Sequence, residues 1–160
     1  MSKLHQVKWD ERAGATANAR RELPRLAASY FAQVRALLAD DPSPVKLHRL
    51  RLLTKRLRFT LELFRPCYGP GLETRLAALR RIQQSLGEVN DSTAATRLIS
   101  KSMSTASPQR ARVLRYLEER AAVKAQEFRK DWAEVFDAPG QEIWWTTYLA
   151  RHARTPGRRA

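Results

Sequence analysis

The stretch Ser43-Pro44-Val45-Lys46-Leu47-His48-Arg49-Leu50-Arg51-Leu52-Leu53-Thr54-Lys55-Arg56-Leu57-Arg58-Phe59-Thr60-Leu61-Glu62-Leu63-Phe64 decides the reading of this chain. Ser43 followed by Pro44 marks a helix start: a hydroxyl that can accept from a free backbone N–H, then a residue whose missing N–H and fixed φ suit the first helical position. The helix runs to Arg65 and stops at Pro66-Cys67-Tyr68-Gly69-Pro70. At ~100° per residue, Leu50, Leu53, Leu57, Leu61 and Phe64 share one side, and Val45, Leu52, Phe59 and Leu63 form a second stripe. His48, Arg51, Lys55 and Arg58 fall between them, within an arc of ~80°. Bases held between two apolar stripes should line a groove between helices. A solvated charged face would normally carry acids four residues from its bases, and only Glu62 is near.

The same punctuation extends in both directions. Upstream, Leu23, Leu26, Ala27, Tyr30, Val34, Leu37 and Leu38 share a helical face that ends at Asp40-Asp41-Pro42; Pro24 either opens this helix or kinks one that begins near Asp10. Downstream, the spacing predicts a third helix over Leu72 to Leu86 stopped by Gly87, and a short fourth capped by Asp91 and ending near Ser102. Ser107-Pro108 repeats the start signal and opens the longest predicted helix, to about Phe136, with Val113, Leu114, Leu117, Ala121, Phe128, Trp132 and Val135 as its apolar face. Trp144, Trp145, Tyr148 and Leu149 suffice for a short packed helix before a basic end, Thr155 to Arg159, expected to be disordered. No alternating strand pattern competes. The expected fold is all-α: an antiparallel, four-helix-bundle-like unit over residues 1–140, with an additional short helix in an aromatic then basic tail over 141–160.

Composition bounds the function. The 160 residues include 30 Lys or Arg against 16 Asp or Glu, a net charge of +14, yet 43% are apolar, enough for a core. Arg outnumbers Lys 23 to 7, and the guanidinium fork matches phosphate or carboxylate oxygens two at a time, so the expected partner is a polyanion. Cys67 is the only cysteine, which excludes an intrachain disulfide and makes the cytoplasm the expected compartment. Met1 to Arg12 lacks an apolar signal core, and no apolar run approaches the ~18–20 residues that cross a bilayer, so no membrane association or export is expected.

Bases also fall at positions marked as inward on two other helices. Lys124 and Arg110 lie within the apolar arc of the last long helix, and Arg75 and Gln83 flank the Leu79, Ile82 and Leu86 face. An unpaired charge in an apolar setting costs several kcal/mol, so each needs an acid, a side chain long enough to reach water, or a bound anion. His48 has no companions for a metal site, since His5 and His152 sit near opposite ends of the chain. Without a Gly-rich phosphate loop, paired inward carboxylates or a nucleophile in a recognisable setting, no catalytic residue, metal or cofactor is expected.

Leu47 to Phe59, followed by Glu62-Leu63-Phe64, resembles the signature helix of the CHAD family, the conserved histidine α-helical domains. The run Leu79-Arg80-Arg81-Ile82-Gln83-Gln84-Ser85-Leu86-Gly87-Glu88-Val89-Asn90-Asp91 resembles that family's second hallmark, and the likeness extends over about Leu26 to Phe136. The resemblance implies a helical bundle whose basic surface binds inorganic polyphosphate without catalysis, with His48, Arg51, Lys55, Arg56 and Arg58 carried over by motif. Arg75, Arg80, Arg81, Arg110 and Lys124 join them from face analysis or charge. Family members usually contain two such repeats, whereas this chain has one, so either a homodimer rebuilds the surface, which is the more economical arrangement, or one bundle works alone with a smaller footprint. A nucleic acid is the competing polyanion, disfavoured because Phe59 is the one aromatic beside the ridge. A location at polyphosphate granules in the cytoplasm would follow from the leading reading.

Overall fold

A computed structural model describes residues 4–157. Helices α1 (Ala15–Leu38), α2 (Pro44–Leu63), α3 (Gly71–Ser102), α4 (Pro108–Asp131) and α5 (Gln141–Arg151) account for nearly all regular structure among these residues, which include no strand. A 3-10 turn, Arg65–Cys67, follows α2, and a π-helical turn, Trp132–Phe136, ends α4. The all-α bundle class stands.

The start signals at Ser43 and Ser107 act as read. The Ser43 hydroxyl accepts from Lys46 N at 3.3 Å and that of Ser107 from Arg110 N at 3.4 Å, with Pro44 and Pro108 in the first turns. Helix α1 begins at Ala15, after Asp10, and runs on through Pro24. Its first turn is closed by Asn18, whose buried amide donates to the carbonyls of Asp10, Ala13 and Gly14. The N-terminal segment is held across α1 by Glu22, which accepts from Lys8 N at 3.0 Å, Arg21 Nε at 2.8 Å and His5 Nε2 at 2.8 Å. These donors, the Lys8 backbone N–H first, bring its carboxyl down to about 2.

Two helix boundaries differ from expectation. The stop at Gly87 and the cap at Asp91 are absent: α3 is one helix through both. A glycine stop requires a left-handed residue, and among the described residues only Gly140 has positive φ. The buried face continues past Gly87 through Val89 and Ser92, because α3 packs on α2 along one side and on α4 along the other. Tertiary packing on two sides carries the helix where local propensity would have ended it. At 32 residues α3, not α4, is the longest helix, and the segment opened by Ser107 keeps helical form to Phe136 by widening into the π-turn.

The core joins Leu23, Leu26, Tyr30 and Phe31 of α1 to Leu50, Leu57 and Leu61 of α2 and to Leu72, Leu79, Ile82 and Leu86 of α3. Thr54 spends its hydroxyl proton on Leu50 O, so Tyr30 donates to Thr54 Oγ1 at 2.9 Å. Phe128 is the buried residue of α4; Val113 of the expected apolar face is exposed, and Leu114, Leu117 and Ala121 are half-buried against α3. Gly140, at φ +83°, turns the chain back so that α5 lies on α1. Trp145 then completes an aromatic cluster with Phe31 and Phe136, at centroid distances of 6.1 and 5.2 Å. Tyr68 Oη donates to Leu149 O at 2.7 Å, and Arg154 N to Cys67 O at 2.7 Å, so the core is continuous across residue 140. Of the expected disordered end, Arg158 and Arg159 lie outside the described residues.

Candidate anion-binding site

The ridge on α2 faces α3. His48 Nδ1 is 2.7 Å from Asn90 Oδ1 and donates to it, which leaves Nε2 of this exposed side chain as the nitrogen outside that bond. One turn further on, Arg51 crosses Gly87, its Nε 3.9 Å from where a β-carbon on that residue would stand. That Nε is buried and has no acceptor. Lys55 holds its ammonium 5.5 Å from the Phe59 ring centre. Arg58 donates from Nε to Gln83 Oε1 and from Nη1 to Glu62, each at 2.8 Å, and its guanidinium lies 4.3 Å over Phe59. Arg80 reaches the same Glu62 carboxylate at 3.2 Å.

Charge along this seam is therefore uneven. Two guanidiniums, Arg58 and Arg80, share one carboxylate, while His48, Arg51 and Lys55 meet neutral amides, a glycine and an aromatic face but no acid among the described residues. Three consecutive bases thus lack a counter-ion, and one of them has a desolvated N–H with nowhere to donate. The second apolar stripe of α2 is not covered by another helix: Val45, Leu52, Phe59 and Leu63 are 71%, 48%, 44% and 80% exposed. The bases border an open face, and the groove expected between two packed stripes has one wall, at α3.

Several expected site residues lie elsewhere. Arg75 is 2% exposed, sandwiched with its guanidinium carbon 3.4 Å from the Trp144 ring centre and 3.7 Å from that of Tyr148. It donates to Gly71 O and Trp144 O, each at 3.0 Å, and burial brings it down to about 10. Its place in the aromatic tail, not a bound anion, accounts for this inward base, and it is closed to an anion. Arg56 falls about 120° round α2 from the ridge centre and lines a different groove. Arg81 pairs with Asp131 at 2.7 Å, and Lys124 with Glu127 at 2.8 Å and Glu88 at 3.7 Å, which raises the Lys124 ammonium. Asp131 and Glu88 come to these two bases from a neighbouring helix, whereas Glu127 lies three residues on in the helix of Lys124 itself. Arg110, in the first turn of α4, again has a buried Nε without an acceptor.

Asn90 is the supporting residue that site prediction from sequence overlooked, whereas Gln83, placed beside Arg75 on the third-helix face, receives Arg58 Nε. Asn90 lies 42 residues from the imidazole it orients, and nothing local marks it. Among the described residues no group of three His, Cys, Asp or Glu could hold a metal ion, and no described helix is long and apolar enough to cross a membrane.

Fold and surface together define an all-α bundle with a row of uncompensated bases along one helix. A family model described as CHAD domain matches residues 2–100. The chain belongs to the CHAD family. The match starts upstream of Leu26 and ends near the close of α3, so α4 and α5 lie beyond it. Comparison with curated proteins and with solved structures finds no match.

Proposed function

We propose that this chain binds inorganic polyphosphate along the α2 ridge and does not process it. The observation that carries the reading is the run His48, Arg51 and Lys55, which has no acid partner among the described residues and includes a buried, unaccepted Arg51 Nε. From His48 to Lys55 the ridge rises about 10 Å, enough to meet successive phosphates, with Arg58 and Arg80 extending it past Glu62. Guanidinium forks on phosphate oxygens and release of counterions supply the affinity, so binding falls steeply with salt. A second copy of the chain is proposed to cover the exposed α2 stripe, which places two ridges beside one polyanion. The compartment proposed is the cytoplasm, at polyphosphate granules.

Single-stranded nucleic acid is the second reading, favoured by Phe59, which lies exposed beside Lys55 and Arg58 and could stack a base. A competition titration of long-chain polyphosphate against duplex and single-stranded DNA at near-physiological salt separates them. Polyphosphate that DNA fails to displace supports the proposal; equal displacement by either DNA supports generic polyanion binding. Release of phosphate from polyphosphate with Mg²⁺ or Mn²⁺ would overturn the non-enzymatic part, and a monomer at every polyphosphate concentration would remove the second copy.

A further inference from the structure

Arg56 belongs to the motif helix but not to the ridge, and its position raises the question of what it serves. It stands at the rim of a groove of about 820 Å³ enclosed by the N-terminal segment, the end of α2 and the turn after it. That volume falls within the ~300–1,000 Å³ range of small-molecule sites. The floor is apolar, with Leu26 and Cys67 buried beneath it and Trp9 packed on Phe64 at 6.2 Å between ring centres, while Gln6 and Thr60 add polar groups to the walls. Among the described residues Arg56 is the one charged residue that lines the groove, and no acid of those residues pairs with it. The neighbouring Thr60 hydroxyl donates to Arg56 O at 2.9 Å, so its proton is committed, and the exposed Arg56 and Gln6 side chains are left as donors of the lining, Arg56 being the cationic one. An apolar trough with one cation at its edge complements a molecule with an apolar body and a single anionic end.

We infer that this groove is a binding site for a small amphipathic monoanion, a medium-chain carboxylate, whose chain lies on Leu26, Phe64 and Trp9 and whose head group meets Arg56. The site is separate from the ridge and shares only Leu63 with the α2 stripe proposed to receive a second copy. A calorimetric titration with decanoate, kept below its micelle-forming concentration, tests it alongside decyltrimethylammonium, whose chain is the same and whose head is cationic. One molecule of decanoate per chain is expected, with a change in tryptophan emission. Affinity should fall about tenfold in Arg56→Gln and for the cationic probe. Trp9→Phe should keep the heat and remove most of the emission change. Arg56 is exposed, so Arg56→Gln folds and its circular dichroism checks that. Equal binding of the two probes, unchanged affinity in Arg56→Gln, an emission change that survives Trp9→Phe, or no saturable heat would each overturn the assignment.

Discussion

His48 and Asn90 are joined by a 2.7 Å hydrogen bond from the imidazole Nδ1–H to the amide oxygen, so a residue of α3 sets the orientation of the signature histidine of α2. The bond fixes which nitrogen is left outside it. Replacing Asn90 by Ala frees the ring to rotate at little cost to packing, because both groups lie at the edge of the seam. Asn90→Ala is expected to weaken polyphosphate binding by about 0.5–1.5 kcal/mol while thermal unfolding moves little. A large loss of stability with unchanged binding would assign the pair a purely structural role.

Arg51 carries a buried Nε with no acceptor, which is a cost in the free protein. Arg51→Met keeps the length of the side chain and removes the orphaned donor, so stability of the free protein should stay level or rise by up to about 1–3 kcal/mol. Polyphosphate affinity should drop, and the slope of log K against log salt should shrink by about one unit. Chemical denaturation and binding at several salt concentrations check both halves.

Arg75 packs between Trp144 and Tyr148, and a β-carbon on Gly71 would stand 2.8 Å from Tyr148 Cε2. Tyr148 is pinned by Arg75 on its other contact and cannot move away freely. Gly71→Ala should cost about 1–3 kcal/mol by overpacking, and Arg75→Ala about 2–5 kcal/mol by leaving a cavity between two rings. Neither should change polyphosphate affinity in the molecules that remain folded. A selective loss of binding in Arg75→Ala would return Arg75 to the site.

Gly87→Ala discriminates between a helix stop and a mid-helix glycine. A β-carbon there would meet Arg51 Nε at 3.9 Å, an ordinary contact, and Ala is favoured over Gly inside a helix by about 0.5–1 kcal/mol. The variant should therefore be more stable than the parent, as read from its denaturation midpoint. Destabilisation would mean that the backbone at Gly87 needs glycine.

Glu22 sets an acid limit. Its carboxyl sits at about 2 in the folded chain against an ordinary 4.5, so its contribution is complete above pH 4.5 and is lost as pH falls towards 2. Glu22→Gln, which cannot bind its donors as an anion, should be less stable by about 1–3 kcal/mol at pH 7. It should also show a flatter stability profile between pH 4.5 and 2. Parallel profiles for parent and variant across that window would sink the account.

Local signals were enough for α2 and for the start of α4, because a serine cap followed by proline acts within one turn and needs no partner. The row His48, Arg51, Lys55 and Arg58 was legible for the same reason: residues three and four apart share a helix face whatever surrounds the helix. Tertiary structure alone decided the rest. It carried α3 through Gly87 by packing both of its sides, closed Trp144 and Tyr148 over Arg75, brought Glu88 to Lys124, and left the Val45, Leu52, Phe59 and Leu63 stripe uncovered. A base at an inward-looking position is satisfied by whatever long-range contact reaches it first, and the free energy of that contact depends on burial and on a partner many residues away. Helical periodicity therefore determines which bases stand in a row, and only the packed chain determines which of them remain without a counter-ion.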